Sequence, residues 1–81
     1  MVEQPNQQQY PIHYTTVNQK MADLCQKLKD ERMKQGINQR ELARRSGYSQ
    51  GTITRAETRG WISISALLAI TAALDKEITL K

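Results

Sequence analysis

At 81 residues the chain has room for one domain at most, near the size where a single hydrophobic core barely suffices. A formal charge of +4 suits a polyanionic partner, while one cysteine and one histidine can form neither an internal disulfide nor a zinc-ligand set. With no membrane-spanning apolar run and no secretory leader, the composition points to a reducing cytoplasm and to a protein without metal or cofactor.

The first fourteen residues, MVEQPNQQQYPIHY, are rich in Gln, Asn and Pro and have no apolar period, so 1–14 reads as a mobile arm. Roughly 65 residues remain to fold, few enough that a partner subunit is an expected source of buried surface. Thr15 or Thr16 can cap a first helix, in which Val17, Met21, Leu24, Cys25, Leu28 and Met33 recur at spacings near three and four. It ends near Gln35, with Gly36 as the stop. On that face Cys25 reads as a small core residue rather than a reactive thiol.

Asn38 can cap a second helix with Glu41 at its third position, a variant of the capping box. Leu42 and Ala43 face inward, and the helix stops at Ser46-Gly47. Ser49 caps a third helix, inward at Ile53 and Ala56 and ending near Arg59-Gly60. Ser63 or Ser65 starts a fourth, with Ala66, Leu67, Ile70, Ala73 and Leu74 as its buried stripe. The tail over 76–81 alternates polar and apolar residues as a half-buried strand does. Alone, that strand leaves its backbone donors unpaired. It is either a frayed tail or a dimerisation strand that pairs with its copy in a second subunit, presenting Ile78 and Leu80. The expected fold is all-α, a bundle of four or five helices over 15–75 with a short C-terminal strand.

The stretch Asn38–Glu57, NQRELARRSGYSQGTITRAE, carries the functional signal. Ala43 is small where two helices must cross, Gly47 suits a turn at positive φ, and Tyr48 and Ile53 fill the angle between the helices. These features make a helix-turn-helix whose second helix turns its outer face away from the body. That face offers Ser49, Gln50, Gly51, Thr52 and Arg55 for reading bases. Gln50 can bond an adenine edge at two points, Thr52 offers a methyl to thymine, Arg55 reaches guanine or phosphate, and Gly51 permits close approach. Asn38, Gln39, Arg40, Arg44, Arg45, Thr54 and Arg59 surround it as candidate phosphate ligands. From Asn38 to Arg59 there are five arginines against two glutamates, and arginine is the better phosphate and guanine ligand because its planar fork binds two acceptors.

The stretch GINQRELARRSGYSQGTITRAE resembles the Cro/CI-type helix-turn-helix family of phage and bacterial repressors, and the likeness runs from about Val17 to Leu74. It implies that Gln39 and Gln50 cooperate at a phosphate and an adenine, and that Arg32 pairs with Glu57 beneath the recognition helix. Two residues depart from the pattern. Glu31 stands where many members are apolar. Trp61 occupies a loop that usually touches DNA backbone through polar groups, leaving open an interface contact, a sugar contact or a plain surface aromatic. The segment SALLAITAALDKEITL is similar to the end of HipB-type antitoxins, where strands of two subunits pair into a lid. This resemblance implies a homodimeric repressor of its own operon with a HipA-like kinase toxin as partner. A phage or prophage repressor, and a protein-interaction module that kept the fold, stand as alternatives. With no Gly-x-x-x-x-Gly-Lys loop and with His13 confined to the arm, no enzymatic activity is expected.

Overall fold

The computed structural model describes residues 14–79, with side chains from Thr16 onward. Four helices follow one another: α1 (Tyr14–Lys34), α2 (Gln39–Ser46), α3 (Gln50–Arg59) and α4 (Ile64–Ala73). Among the described residues there is no strand. The expected arm over 1–14 lies outside the described residues except for Tyr14, which belongs to α1.

Three of the helices start on a side-chain cap, as their sequences require. Asn38, Ser49 and Ser63 each sit in extended backbone and accept a hydrogen bond from the amide three residues on, at Glu41, Thr52 and Ala66. The stops are equally local. At Gly47 the φ is 80°, and its N–H returns to the Ala43 carbonyl at 2.9 Å, closing α2 and aiming the chain into α3. No atom lies within 4 Å of a Cβ built there, so the backbone conformation alone calls for glycine. Gly60, with φ +70°, adds a steric demand, since a Cβ would meet the Ala22 Cβ at 3.1 Å.

The core forms where these helices meet: Met21 and Cys25 from α1, Leu42 and Ala43 from α2, Ile53 and Ala56 from α3, and Ala66, Leu67, Ile70 and Leu74 from α4 and its end. Leu24, Leu28, Tyr48 and Ala73 pack against it, half-buried. Leu42, Ile53 and Leu74 are essentially without solvent contact. Each contributes about 1.5–3 kcal/mol of burial, and truncation of any one to alanine costs about 2–5 kcal/mol. Ile37 and Ile62, in the connections between helices, are also buried.

Several expectations are corrected. Neither Thr15 nor Thr16 caps α1, which runs back through both; solvent can satisfy the first N–H groups of a helix, so no side-chain cap is obligatory. Val17 and Met33 are exposed rather than core. At 21 residues, or about 31 Å, α1 outreaches its 8- to 10-residue partners, and Val17 lies on its early turns. In the last turns the inward register from Met21 and Cys25 continues through Leu28 to Arg32, at spacings of four, three and four, and leaves Met33 outside. Within the single chain the tail at Lys76–Thr79 has no ladder partner, and the expected pairing would come from a second subunit; Ile78 is exposed and Leu80 lies outside the described residues. The end of α4 is closed instead by Asp75 in left-handed backbone (φ 59°), with Lys76 N–H donating to the Thr71 carbonyl and Asp75 N–H to that of Ala72.

Candidate nucleic-acid interface

The outward face of α3 follows from what the inward face must bury. Ile53 and Ala56 point into the core, so on a helix of 3.6 residues per turn Gln50, Gly51, Thr54, Arg55, Thr58 and Arg59 lie on the opposite side, and all six are exposed. Gly51, Thr54, Arg55, Thr58 and Arg59 line one shallow depression. Thr52 falls to the flank instead. It is half-buried, and its hydroxyl lies 3.0 Å from that of Ser49. Ser49 also caps α3 through the Thr52 amide at 3.1 Å, so Ser49 and Thr52 serve mainly each other.

Gly51 sits in ordinary helical backbone, and a Cβ there would touch only the Ser49 Oγ, at 3.7 Å. Folding therefore places no demand on this glycine, which at the second position of α3 is a poorer helix former than alanine.

A polar network fixes α3 against the body. Arg32 of α1 grips the Glu57 carboxylate with both prongs, Nε to Oε2 at 2.7 Å and Nη2 to Oε1 at 3.0 Å, and donates from Nη1 to the Ile37 carbonyl at 2.7 Å. The side chains are only 13% and 6% exposed, so the ion pair implied by the resemblance is formed and largely shielded. Gln39, first residue of α2, donates from Nε2 to Glu57 at 2.9 Å and accepts from the Thr54 hydroxyl at 3.0 Å. One amide thus bridges α2 and α3, with its carbonyl occupied and one N–H still free for an acceptor. Burial pushes the Glu57 carboxyl upward, but the hydrogen bonds from Arg32 and Gln39 outweigh it and hold the group below its usual range.

The cations divide into two sets. Arg44 and Arg45 both donate to Glu41, Arg45 at 2.8 Å, and the Glu41 carboxyl falls to about 2, chiefly through the Arg44 hydrogen bond. Their charge is therefore part-neutralised within α2. Arg40, Arg55 and Arg59 are exposed and form no ion pair with another described residue. The Asn38 side-chain carbonyl accepts from the Glu41 amide at 2.8 Å and so begins α2. Among the described residues no group of His, Cys, Asp and Glu could hold a metal ion, and no helix is long and apolar enough to cross a membrane.

A family model described as Helix-turn-helix matches residues 28–81, two thirds of the chain, and covers α2, the Gly47 turn and α3. The chain belongs to this helix-turn-helix family. It is accordingly a sequence-specific DNA-binding regulator of Cro/CI type. No curated protein and no solved structure gives a significant match.

Within this helix-turn-helix protein the structure puts Gln50, Gly51, Thr54, Arg55 and Arg59 on the outer face of α3, leaves Arg40 exposed on α2, and bonds Ser49 and Thr52 to each other at the start of α3. Thr58 was not among the expected residues. It lies one turn beyond Thr54 on the same face, donating its hydroxyl to the Thr54 carbonyl at 2.8 Å, and extending the period by one more turn finds it.

Proposed function

We propose that the protein is a transcriptional repressor that binds a twofold-symmetric operator as a homodimer, each copy inserting α3 into a major groove. The observation that carries this reading is the exposed α3 face, glycine-floored at Gly51 and clamped from behind by Arg32, Glu57 and Gln39. Gln50 pairs with an adenine edge, and Arg55 meets guanine or phosphate. Gln39, through its free N–H, meets phosphate together with Arg40, Arg59 and the first amides of α2. Arg44 and Arg45, tied to Glu41, add long-range attraction more than direct contact. One reading head spans a few base pairs, so two heads are needed for a site of useful length, with half-sites about 34 Å apart.

Within this reading, the similarity of SALLAITAALDKEITL to HipB-type antitoxins favours a repressor of its own operon that also binds a HipA-like kinase toxin. A prophage repressor is the competing assignment, and a neighbouring gene for such a kinase separates them. The DNA-binding role is tested by gel shift against duplex DNA at rising salt. Counterion release predicts log affinity falling linearly with log salt. Salt-independent binding, or none, favours a protein-interaction module instead.

A further inference from the structure

Three of the ten residues of α3 are threonines, and two of them, Thr54 and Thr58, stand exposed on its outer face one turn apart. Folding has little use for threonine there. Its branched side chain makes it a poorer helix former than alanine, lysine or glutamate. Thr58 donates its hydroxyl to the Thr54 carbonyl at 2.8 Å, a bond back onto the same helix of a kind that slightly weakens it. Thr54 donates to the Gln39 Oε1 at 3.0 Å. A serine could make both bonds, so what the threonines add is a methyl group at each position.

We propose that Thr54 and Thr58 read thymine, their methyl groups packing against its C5-methyl in the major groove. The inference rests on the DNA-reading function proposed above and names what the later turns of α3 recognise. A hydroxyl carries one proton, and both threonines already donate theirs within the protein. Phosphate oxygens, guanine N7 and O6, adenine N7 and thymine O4 all accept hydrogen bonds, so they find no donor here. What each threonine still presents is its lone pairs and a methyl. The C5-methyl of thymine is the apolar group on the major-groove edge of a base pair, and it is the natural match for that methyl.

Placement points the same way. Gly51, Thr54 and Thr58 follow at spacings of three and four along one stripe of the helix and, with Arg55 and Arg59, line one shallow depression. Gly51 leaves one end of the stripe without a side chain, so a base edge can come close. Arg55 and Arg59 form no ion pair with another described residue and supply attraction to phosphate beside the methyls. Side chains one turn apart lie about 5–6 Å from each other, against about 3.4 Å per base step along a strand, so the two methyls suit thymines one or two steps apart. Thr52 lacks this placement, being half-buried with its hydroxyl 3.0 Å from that of Ser49.

The test uses a duplex selected from a random pool by the full chain, remade with uracil in place of each thymine in turn, because uracil lacks only the methyl. Wild-type binding should weaken about fourfold at one or two thymines of each half-site, the worth of about one buried methyl group. Thr54→Ser and Thr58→Ser keep the hydroxyls and lose the methyls. Each should bind the thymine duplex about fourfold more weakly and cease to distinguish uracil at its own position. Thr58→Val keeps a methyl without the hydroxyl and should still prefer thymine. Both positions are exposed, and circular dichroism verifies that each variant folds. A selected half-site without thymine, uracil without effect, or thymine preference lost in Thr58→Val overturns the inference and leaves DNA reading by α3 standing. Uracil sensitivity unchanged in both serine variants overturns it too, since another residue then meets the methyl. A pool that yields no enriched duplex overturns the reading function itself.

Discussion

Replacing Arg32 with methionine removes the guanidinium from beneath α3 and keeps most of the stem. Glu57 is then left 6% exposed with only the Gln39 hydrogen bond at 2.9 Å, and the Ile37 carbonyl loses its 2.7 Å partner. Breaking a buried pair by removing one member costs about 3–5 kcal/mol. At about 0.05–0.15 kcal/mol per residue, a folded unit of roughly 65 residues has only about 3–10 kcal/mol in total. Arg32→Met should therefore lower the melting temperature by at least about 12 °C, at about 4–8 °C per kcal/mol for a domain of this size. In the double variant Arg32→Met, Glu57→Leu no charge remains buried, and most of the loss should return. Urea unfolding followed by circular dichroism, on wild type, both single variants and the double, measures the coupling. Single losses below about 1 kcal/mol that add in the double variant would refute a shielded, mutually dependent pair.

Gly51→Ala should stabilise the fold by about 0.4–1 kcal/mol, since its new methyl meets only Ser49, while weakening DNA binding by blocking close approach; unchanged affinity would remove Gly51 from the interface. Glu41→Gln should free Arg44 and Arg45, raise affinity for random duplex and steepen the salt dependence by about one unit of slope; an unaltered slope would show both arginines far from phosphate. The Glu57 carboxyl is held below its ordinary value of 4.5, so the folded form binds fewer protons than the unfolded one. Its contribution is present above that value and lost as pH falls through the depressed one. Acid titration of stability should therefore decline below about pH 4.5 and flatten in Glu57→Gln, and equal curves for the two would contradict the assignment.

Features encoded within three or four residues were legible in the sequence. The caps at Asn38 and Ser49 and the turn at Gly47 each depend on one side chain or one backbone angle, and each is where the sequence places it, while of the two serines offered for α4 it is Ser63 that caps. Features that depend on where neighbours end were not. Periodicity carried the α1 stripe to Val17 and Met33 because it cannot tell how far the shorter helices reach. Ile37 and Ile62 escape it because connections of a few residues have no period. At the interface, the methyl that Thr52 offers to thymine gives no sign in the sequence of its half-buried place beside Ile62 and Trp61. The charge count over Asn38–Arg59 does not show that Glu41 holds both Arg44 and Arg45, a bond that competes with any phosphate. The tail could not be decided from 76–81 alone, since a strand is a property of two segments.

Selection of bound duplexes from a random DNA pool, run in parallel on wild type and Gln50→Ala, tests most directly whether the outer face of α3 reads sequence. The account predicts an enriched, twofold-symmetric site with half-sites about one helical turn apart. In the Gln50→Ala selection, preference should relax by about 1–3 kcal/mol at one A·T pair in each half, with the other positions kept. A pool that yields no enriched site, or the same site with the same preferences from both proteins, would contradict it.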